Sequence, residues 1–323
     1  MRYRSPVNHI RFAALAFCLL TGQAAAQTFV LVSDLNGRYG STEHHKRVST
    51  VVETIIERKP DAVISAGDMV AGQQKPLLDG PQIDRMWQGF NRTVADPLSA
   101  AGIPLAVTPG NHDGSGFPEF WLERQHFAKQ WKGRKEGLVI LPDSEWPRRY
   151  AARIDGVLLL SFDGTVPGKL PAGEYDFVET MLSRYAKTGE TTIVFSHLPM
   201  WPLAKGREKE ILDDPRLLDL LHRFDVDVYA SGHHHLFYAG IDEGGMLHVA
   251  VGALGGNVRA FSSGTGARQA HSFAVLDFTG DVVEIQALAA PGFAGTIGYP
   301  ELPARIEGPL GVLHRLEPRG VTE

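Results

Sequence analysis

Pro104-Leu105-Ala106-Val107-Thr108-Pro109-Gly110-Asn111-His112-Asp113 runs from a short apolar stretch straight into a turn loaded with polar side chains. A brief apolar run closed by Pro and Gly reads as a buried strand followed by a sharp turn. The same arrangement recurs along the chain. Residues 28–33 end at Asp34, residues 62–66 run into Gly67-Asp68, residues 191–196 run into His197, and residues 226–230 run into Ser231-Gly232-His233-His234-His235. Between the first of these strands, residues 44–58 carry Val48, Val51, Val52, Ile55 and Ile56 at helical spacing. Residues 84–101 read as a second helix, which Pro97 should kink or end. Strands alternating with helices predict an α/β fold with parallel strands. Further strands are expected at residues 156–162, 247–251, 272–278 and 282–288, and their clustering towards the C-terminus favours antiparallel pairing. The pattern thus predicts an α/β fold whose core is either a mixed sheet or two sheets. No repeat, low-complexity tract or Pro/Ser-rich linker divides the chain.

The N-terminus has a different character. Arg2, Arg4 and Arg11 precede a short apolar run at residues 12–20, and Ala24-Ala25-Ala26 supplies small residues before Gln27. This is the layout of a secretory signal peptide, residues 1–26, cut after Ala26. A periplasmic or secreted mature protein is expected. Phe17 before Cys18 argues against a lipoprotein signal, and Cys18, the only cysteine, leaves with the leader. The mature chain then has no disulfide and no thiolate ligand, so any metal site must use His, Asn and carboxylates. Three arginines and no acids depart with the leader, moving the formal charge from −5 to −8. Such an acidic protein is a poor match for a stable nucleic-acid partner, which needs Lys and Arg against phosphate. No second long apolar segment follows, so no membrane span is expected in the mature protein. Residues 27–290 read as one domain. Residues 291–323, with several Pro and Gly and no clear period, read as a C-terminal extension that is packed on the domain or loose.

Taken singly, each strand-end residue has an ordinary explanation. Asp34, Asp68 and Asn111 suit turns, His197 suits a satisfied core position, and a His run suits a surface loop. Their joint placement is harder to explain by stability alone. In α/β sheets, ligands bind beyond the carboxyl ends of the strands, so a sheet gathers these distant residues into one small volume.

The full set resembles the calcineurin-like metallophosphoesterases, whose blocks read Asp-x-His, Gly-Asp, Gly-Asn-His-Asp/Glu, a lone His, and Gly-His-x-His. Here the blocks are Asp34-Leu35-Asn36, Gly67-Asp68, Gly110-Asn111-His112-Asp113, His197, and Gly232-His233-His234-His235. The resemblance covers roughly residues 28–255 and implies an α/β fold built as a two-sheet mixed β-sandwich flanked by helices. It implies two divalent metal ions, with Mn, Fe, Zn or Mg all suited to carboxylate, amide and imidazole donors. Asp34, Asp68 and His235 would hold the first, and Asp68, Asn111, His197 and His233 the second, with Asp68 shared. His112 would stabilise the transition state or protonate the leaving oxygen, and Asp113 would orient its ring. His234 would lie behind the ligands or on the surface. The implied function is an exported phosphoesterase acting on a small phosphorylated substrate, a mono- or diester, with a metal-bridging hydroxide as nucleophile.

Two departures stand out. Asn36 occupies the place where the family usually has His. Its amide oxygen then binds the first ion and favours harder metals, or it binds nothing directly, or activity has been lost. Purple acid phosphatases, a related branch, carry a tyrosine three residues after the Gly-Asp aspartate, where this chain has Ala71. Arg38, Lys205 and Arg207 are candidates for phosphate contact or for ordinary surface charge. Trp201 and Phe237 suit either a substrate pocket or packing. The alternative to an enzyme is a non-catalytic metal-dependent binding protein that keeps the fold. A zinc hydrolase of amides or β-lactams would need a His-x-His-x-Asp-His run, which the chain lacks.

Overall fold

The computed structural model of the chain describes residues 26–264, 266–280 and 282–317. The expected leader, apart from Ala26, lies outside the described residues. The strands are β1 (Gln27–Val32), β2 (Ala62–Ser65), β3 (Leu105–Val107), β4 (Val139–Ile140), β5 (Tyr150–Ile154), β6 (Val157–Ser161), β7 (Thr192–Phe195), β8 (Val228–Ser231), β9 (Tyr238–Ile241), β10 (Leu247–Ala250), β11 (Ser272–Thr279), β12 (Val282–Ala289), β13 (Gly295–Thr296), β14 (Arg305–Gly308) and β15 (Gly311–Arg315). The helices are α1 (Lys46–Arg58), α2 (Gly80–Phe90), α3 (Asp96–Ala100), α4 (Asn111–Gly114), α5 (Trp121–Trp131), α6 (Ala172–Tyr185) and α7 (Pro215–Arg223).

Two sheets form. The first has the order β13-β12-β11-β1-β2-β3, with β1, β2 and β3 parallel and β11 antiparallel to β1. The second has the order β14-β15-β9-β10-β8-β7-β6-β5-β4, with β6, β7, β8 and β10 parallel. Side chains alternate across a strand, and β1 shows the consequence. Phe29 and Leu31 enter the large core shared with the second sheet, while Val30 and Val32 face a separate core under the helices. That second core takes Val48, Val51, Val52 and Ile55 from α1 and Trp87 and Phe90 from α2. The mixed α/β architecture with two sheets flanked by helices is the expected one.

Several details differ from the sequence reading. The helix expected over residues 84–101 starts earlier, at Gly80, where the Asp79 carboxylate accepts a bond from Gln82 N–H at 2.8 Å. α2 itself runs to Phe90, but helical structure continues past Pro97 into α3. A five-residue π-turn, Asn91–Ala95, precedes α3, and Asp96 N–H bonds to the Asn91 carbonyl. Widening one turn lets the helix accommodate a proline that has no N–H to give. The extension after residue 290 is packed through Glu317. β14 and β15 form a hairpin, β15 pairs with β9 through His314 and Arg315, and Ile306 and Leu313 are buried.

The strand ends do not all belong to one sheet. Asp34, Asp68 and Asn111 follow β1, β2 and β3 of the first sheet, whereas His197 and His233 follow β7 and β8 of the second. At this end the two sheets are joined by a parallel bridge between Ser33, just past β1, and Ala253, just past β10.

Candidate metal centre

The turns that carry these residues are tight and unusual. Asp34, Asp68, His233 and His235 all have positive φ, between 52° and 63°. Non-glycine residues rarely hold that conformation, and it persists where surrounding structure enforces it. Two glycines make the crowding possible. A Cβ on Gly110 would lie 2.1 Å from Asp68 N, and one on Gly232 would lie 1.8 Å from Ser33 Oγ.

Three imidazoles have one nitrogen held from behind. His197 Nδ1 donates to the Ala66 carbonyl at 2.7 Å. His235 Nδ1 donates to the Asn257 carbonyl at 2.7 Å. His233 Nε2 donates to Glu210 Oε2 at 2.8 Å. A ring whose one N–H is fixed in this way offers the lone pair of the other nitrogen to a metal. Two of those other nitrogens face carboxylates, while His233 Nδ1 lies 3.2 Å from His197 Nε2. His197 Nε2 lies 3.3 Å from Asp68 Oδ2, and His235 Nε2 lies 3.1 Å from Asp34 Oδ1. Both oxygens are buried and have no hydrogen-bond partner. Donor atoms of Asp68, His197 and His233 all lie within 4.8 Å of one another. Asn111 Oδ1 lies 2.8 Å from His197 Nε2, and its amide nitrogen donates to Gln73 Oε1, which turns the oxygen inward.

The two ligand groups are stitched together. Asp34 Oδ2 accepts from His233 N–H at 3.0 Å, and Asn36 N–H donates to the Asp68 carbonyl at 3.0 Å. Asn36 is buried. Orphaned carboxylate oxygens, inward lone pairs and a convergent donor set fit divalent cations, whose charge would satisfy what protein hydrogen bonds leave open.

The charges are correspondingly perturbed. Burial disfavours ionising Asp68, yet His197 and His112 hold its carboxyl far below the usual range. Burial opposes protonating His197, but Asp68 beside it raises its pKa to about 9. Burial raises Glu210, and the bonds from His233 and Arg207 pull it down to about 2.

The placement of His112 and Asp113 corrects one expectation. Asp113 does not orient the His112 ring. Asp113 sits three residues after Gly110 on the single turn of α4, so its carboxylate folds back to accept from Gly110 N–H at 2.7 Å and Met69 N–H at 2.5 Å. It braces the Asp68 and Asn111 turns against each other. Burial, and next the charge of Asp68, push its pKa up to about 7. His112 Nδ1 donates instead to the Gly72 carbonyl at 2.6 Å, leaving Nε2 4.0 Å from Asp68 Oδ2. His234 is buried behind the ligands, its Nδ1 accepting from Ala204 N–H and its Nε2 donating to the Glu210 carbonyl. Trp201 and Phe237 are core residues, and Trp201 Nε1 donates to the Gly311 carbonyl, pinning the C-terminal hairpin. Arg38 and Lys205 are exposed, and Arg207 pairs with Glu210.

Sequence reading missed Glu210 and Gln73. Glu210 lies in an irregular loop with no strand before it. Gln73 follows Gly67-Asp68 closely in sequence, but its role depends on a left-handed backbone, φ 60°, and on Glu123, whose carboxylate accepts its N–H at 3.1 Å.

A family profile described as calcineurin-like phosphoesterase matches residues 27–237, and the chain belongs to that metal-dependent family of phosphoric ester hydrolases. No curated protein matches the sequence. Among solved structures, the fold is similar to purple acid phosphatase PPD1 from yellow lupin (Lupinus luteus), at 17% identity and a TM-score of 0.60, over 83% of this chain and 52% of that one. The chain thus spans about half the length of the lupin protein. It is also similar to GAP50, described as the anchor in the inner membrane complex of Plasmodium, at 15% identity and a TM-score of 0.55, over 91% of this chain and 90% of that one. At these identities the likeness is one of fold. Among the described residues no helix is long and apolar enough to cross a membrane.

Proposed function

We propose that the protein is an exported phosphoesterase that uses two divalent ions to hydrolyse a small phosphate mono- or diester. The observation that supports this best is the set of three imidazoles fixed from behind, two of which face buried, unpartnered carboxylate oxygens. Asp34, His235 and Asn36 would hold one ion, and Asp68, Asn111, His197 and His233 the other, with Asp68 shared. Ions bound there supply Lewis acidity to a phosphoryl oxygen and acidify water.

The chain's own groups do the rest. Asp113 and Gln73 keep the Asp68 and Asn111 turns in register. His112, partly exposed and tethered through Nδ1, presents Nε2 towards the open side of the site. A proton held at that nitrogen passes to the leaving oxygen as the ester bond breaks. The buried walls of both sheets keep bulk water from the inner carboxylates, which strengthens every charge interaction there.

Assays with p-nitrophenyl phosphate, bis-p-nitrophenyl phosphate and cyclic nucleotides, each with Mn, Zn, Fe and Mg, test this together with measured metal content. Activity with two bound equivalents, abolished in Asp68→Ala, supports the reading. Activity unchanged in Asp68→Ala overturns the metal assignment. Metal binding without turnover in any combination favours the second reading, a binding protein, which is kept in view because the fold also serves GAP50, described as an anchor. Export is tested by expressing the full chain in a bacterial host, where a periplasmic product beginning at Gln27 is expected.

A further inference from the structure

Two loops lie side by side over the ligands. Lys205 N–H donates to the Ala260 carbonyl at 2.9 Å, and Ala204 pairs with Phe261 in an isolated antiparallel bridge. One loop carries Arg207 and the other Arg259. The second is sewn directly onto the first ligand group. Gly255 N–H donates to the Asp34 carbonyl at 2.7 Å, the Asn257 carbonyl accepts from His235, and Arg259 N–H lies 3.4 Å from the His235 carbonyl.

The Arg259 side chain differs from most other partly buried arginines among the described residues, and only Arg47 on α1 shares both its lack of an ion pair and its unbonded, shielded Nε. Arg124, Arg148 and Arg153 each pair with a carboxylate. Arg259 has no ion-pair partner among the described residues, and its Nε is shielded from solvent with no hydrogen bond. Burial, and next Arg207, weigh against its charge, while Asp34 and Glu210 favour it. A half-buried guanidinium with no anion beside it is disfavoured, and its planar array of N–H donors can converge on a phosphate oxygen.

We propose that Arg259, with Arg207 adding positive charge beside it, grips the phosphoryl group of the substrate and selects phosphate monoesters over diesters. This rests on the reading of the site as a phosphoesterase centre. The selection follows from substrate chemistry. A monoester has three terminal oxygens and a diester two. With two engaged at the metal centre, only a monoester keeps one for the guanidinium.

The test uses metal-loaded protein and inorganic phosphate as the probe, by calorimetry, in wild type, Arg259→Ala and Arg259→Lys. Arg259→Ala should weaken phosphate binding by about ten- to a hundredfold, with metal content unchanged. Arg259→Lys, which keeps the charge and loses the fork, should fall between. In turnover, Arg259→Ala should lose more kcat/KM for p-nitrophenyl phosphate than for bis-p-nitrophenyl phosphate. Phosphate affinity within twofold of wild type in either variant, or equal losses for the two esters, overturns the proposal. Should Arg259→Ala fail to fold, Arg259→Lys decides by the same affinity criterion. A wild type that binds phosphate through Arg259 but turns over neither ester upholds the grip and removes the catalytic reading. Turnover with phosphate affinity untouched by the substitutions removes the grip alone.

Discussion

Glu210 holds His233 Nε2 while Arg207 holds Glu210, so one loop carboxylate sets which face of an imidazole the centre sees. Outer partners of this kind typically change metal affinity by about 10- to 100-fold when removed. Glu210→Ala should therefore weaken metal binding by that order, read by metal titration, and unchanged affinity would make Glu210 an ordinary surface acid. Gly110→Ala tests the crowding more severely. Its new Cβ would meet the Asp68 backbone nitrogen at 2.1 Å and Asp68 Oδ1 at 2.2 Å, and the backbone atom cannot move aside as a flexible side chain would. Destabilisation of about 1–3 kcal/mol by urea unfolding is expected, with loss of metal retention. A variant as stable and metal-bound as wild type would show that the turns are looser than they look. At this scale the strand-end positions were legible because a carboxylate or imidazole directly after an apolar strand breaks pattern. Glu210, Gln73 and Arg259 were not, because loop conformation, which no periodicity records, brings them to the centre. Asp113 was misread for a related reason: adjacency in sequence suggested a contact with His112 that the helical turn of α4 directs elsewhere.

Elements with a strong period were found with their ends shifted by a residue or two. α1 was readable because Val48, Val51, Val52 and Ile55 fall on one face. α2 and α3 were read as one broken helix because Pro97 signals a stop, and the π-turn that carries the chain past it leaves no mark in composition. The C-terminal hairpin was illegible because β14 and β15 are short and β15 pairs with β9 across a long sequence gap. Its burial makes it testable. Leu313 is buried beneath the second sheet's edge, and Leu313→Ala should cost about 2–5 kcal/mol in urea unfolding. A loss below about 0.5 kcal/mol, the usual range for surface positions, would mean that the hairpin is not part of the core.

For the whole molecule, pH acts through buried histidines. Behind β10, Asp242 Oδ2 accepts from both His248 Nε2 and His222 Nε2 at 2.9 Å. Burial lowers the pKa of His248 below its ordinary value, so below about 6.5 the unfolded chain takes up a proton that the folded one refuses. Stability from this group is full above that pH and is lost as pH falls through the lower folded value. Burial also opposes ionising Asp242, but its bond from His248 lowers it overall. Its contribution is full above about 3.9 and disappears only in stronger acid. His248→Gln, able to donate to Asp242 but not to titrate, should reduce the slope of stability against pH between 7 and 5 by up to one proton, about 1.4 kcal/mol per pH unit. An identical slope in the variant would place the acid sensitivity elsewhere. Metal acts in the opposite direction: chelation should lower the thermal midpoint, since ligands that bind only the folded state stabilise it.

The bridge between Ser33 and Ala253 and the division of ligands between two sheets have a further consequence. Neither sheet alone carries a complete donor set. A one-residue slip of β1 would turn its side chains to the opposite face and take Asp34 away from His235. With the proposed ligand set, ion capture would be a coincidence detector, answering only when both halves of the sandwich have arrived in correct alignment. A freshly made chain would announce its maturity by the moment at which it first retains metal.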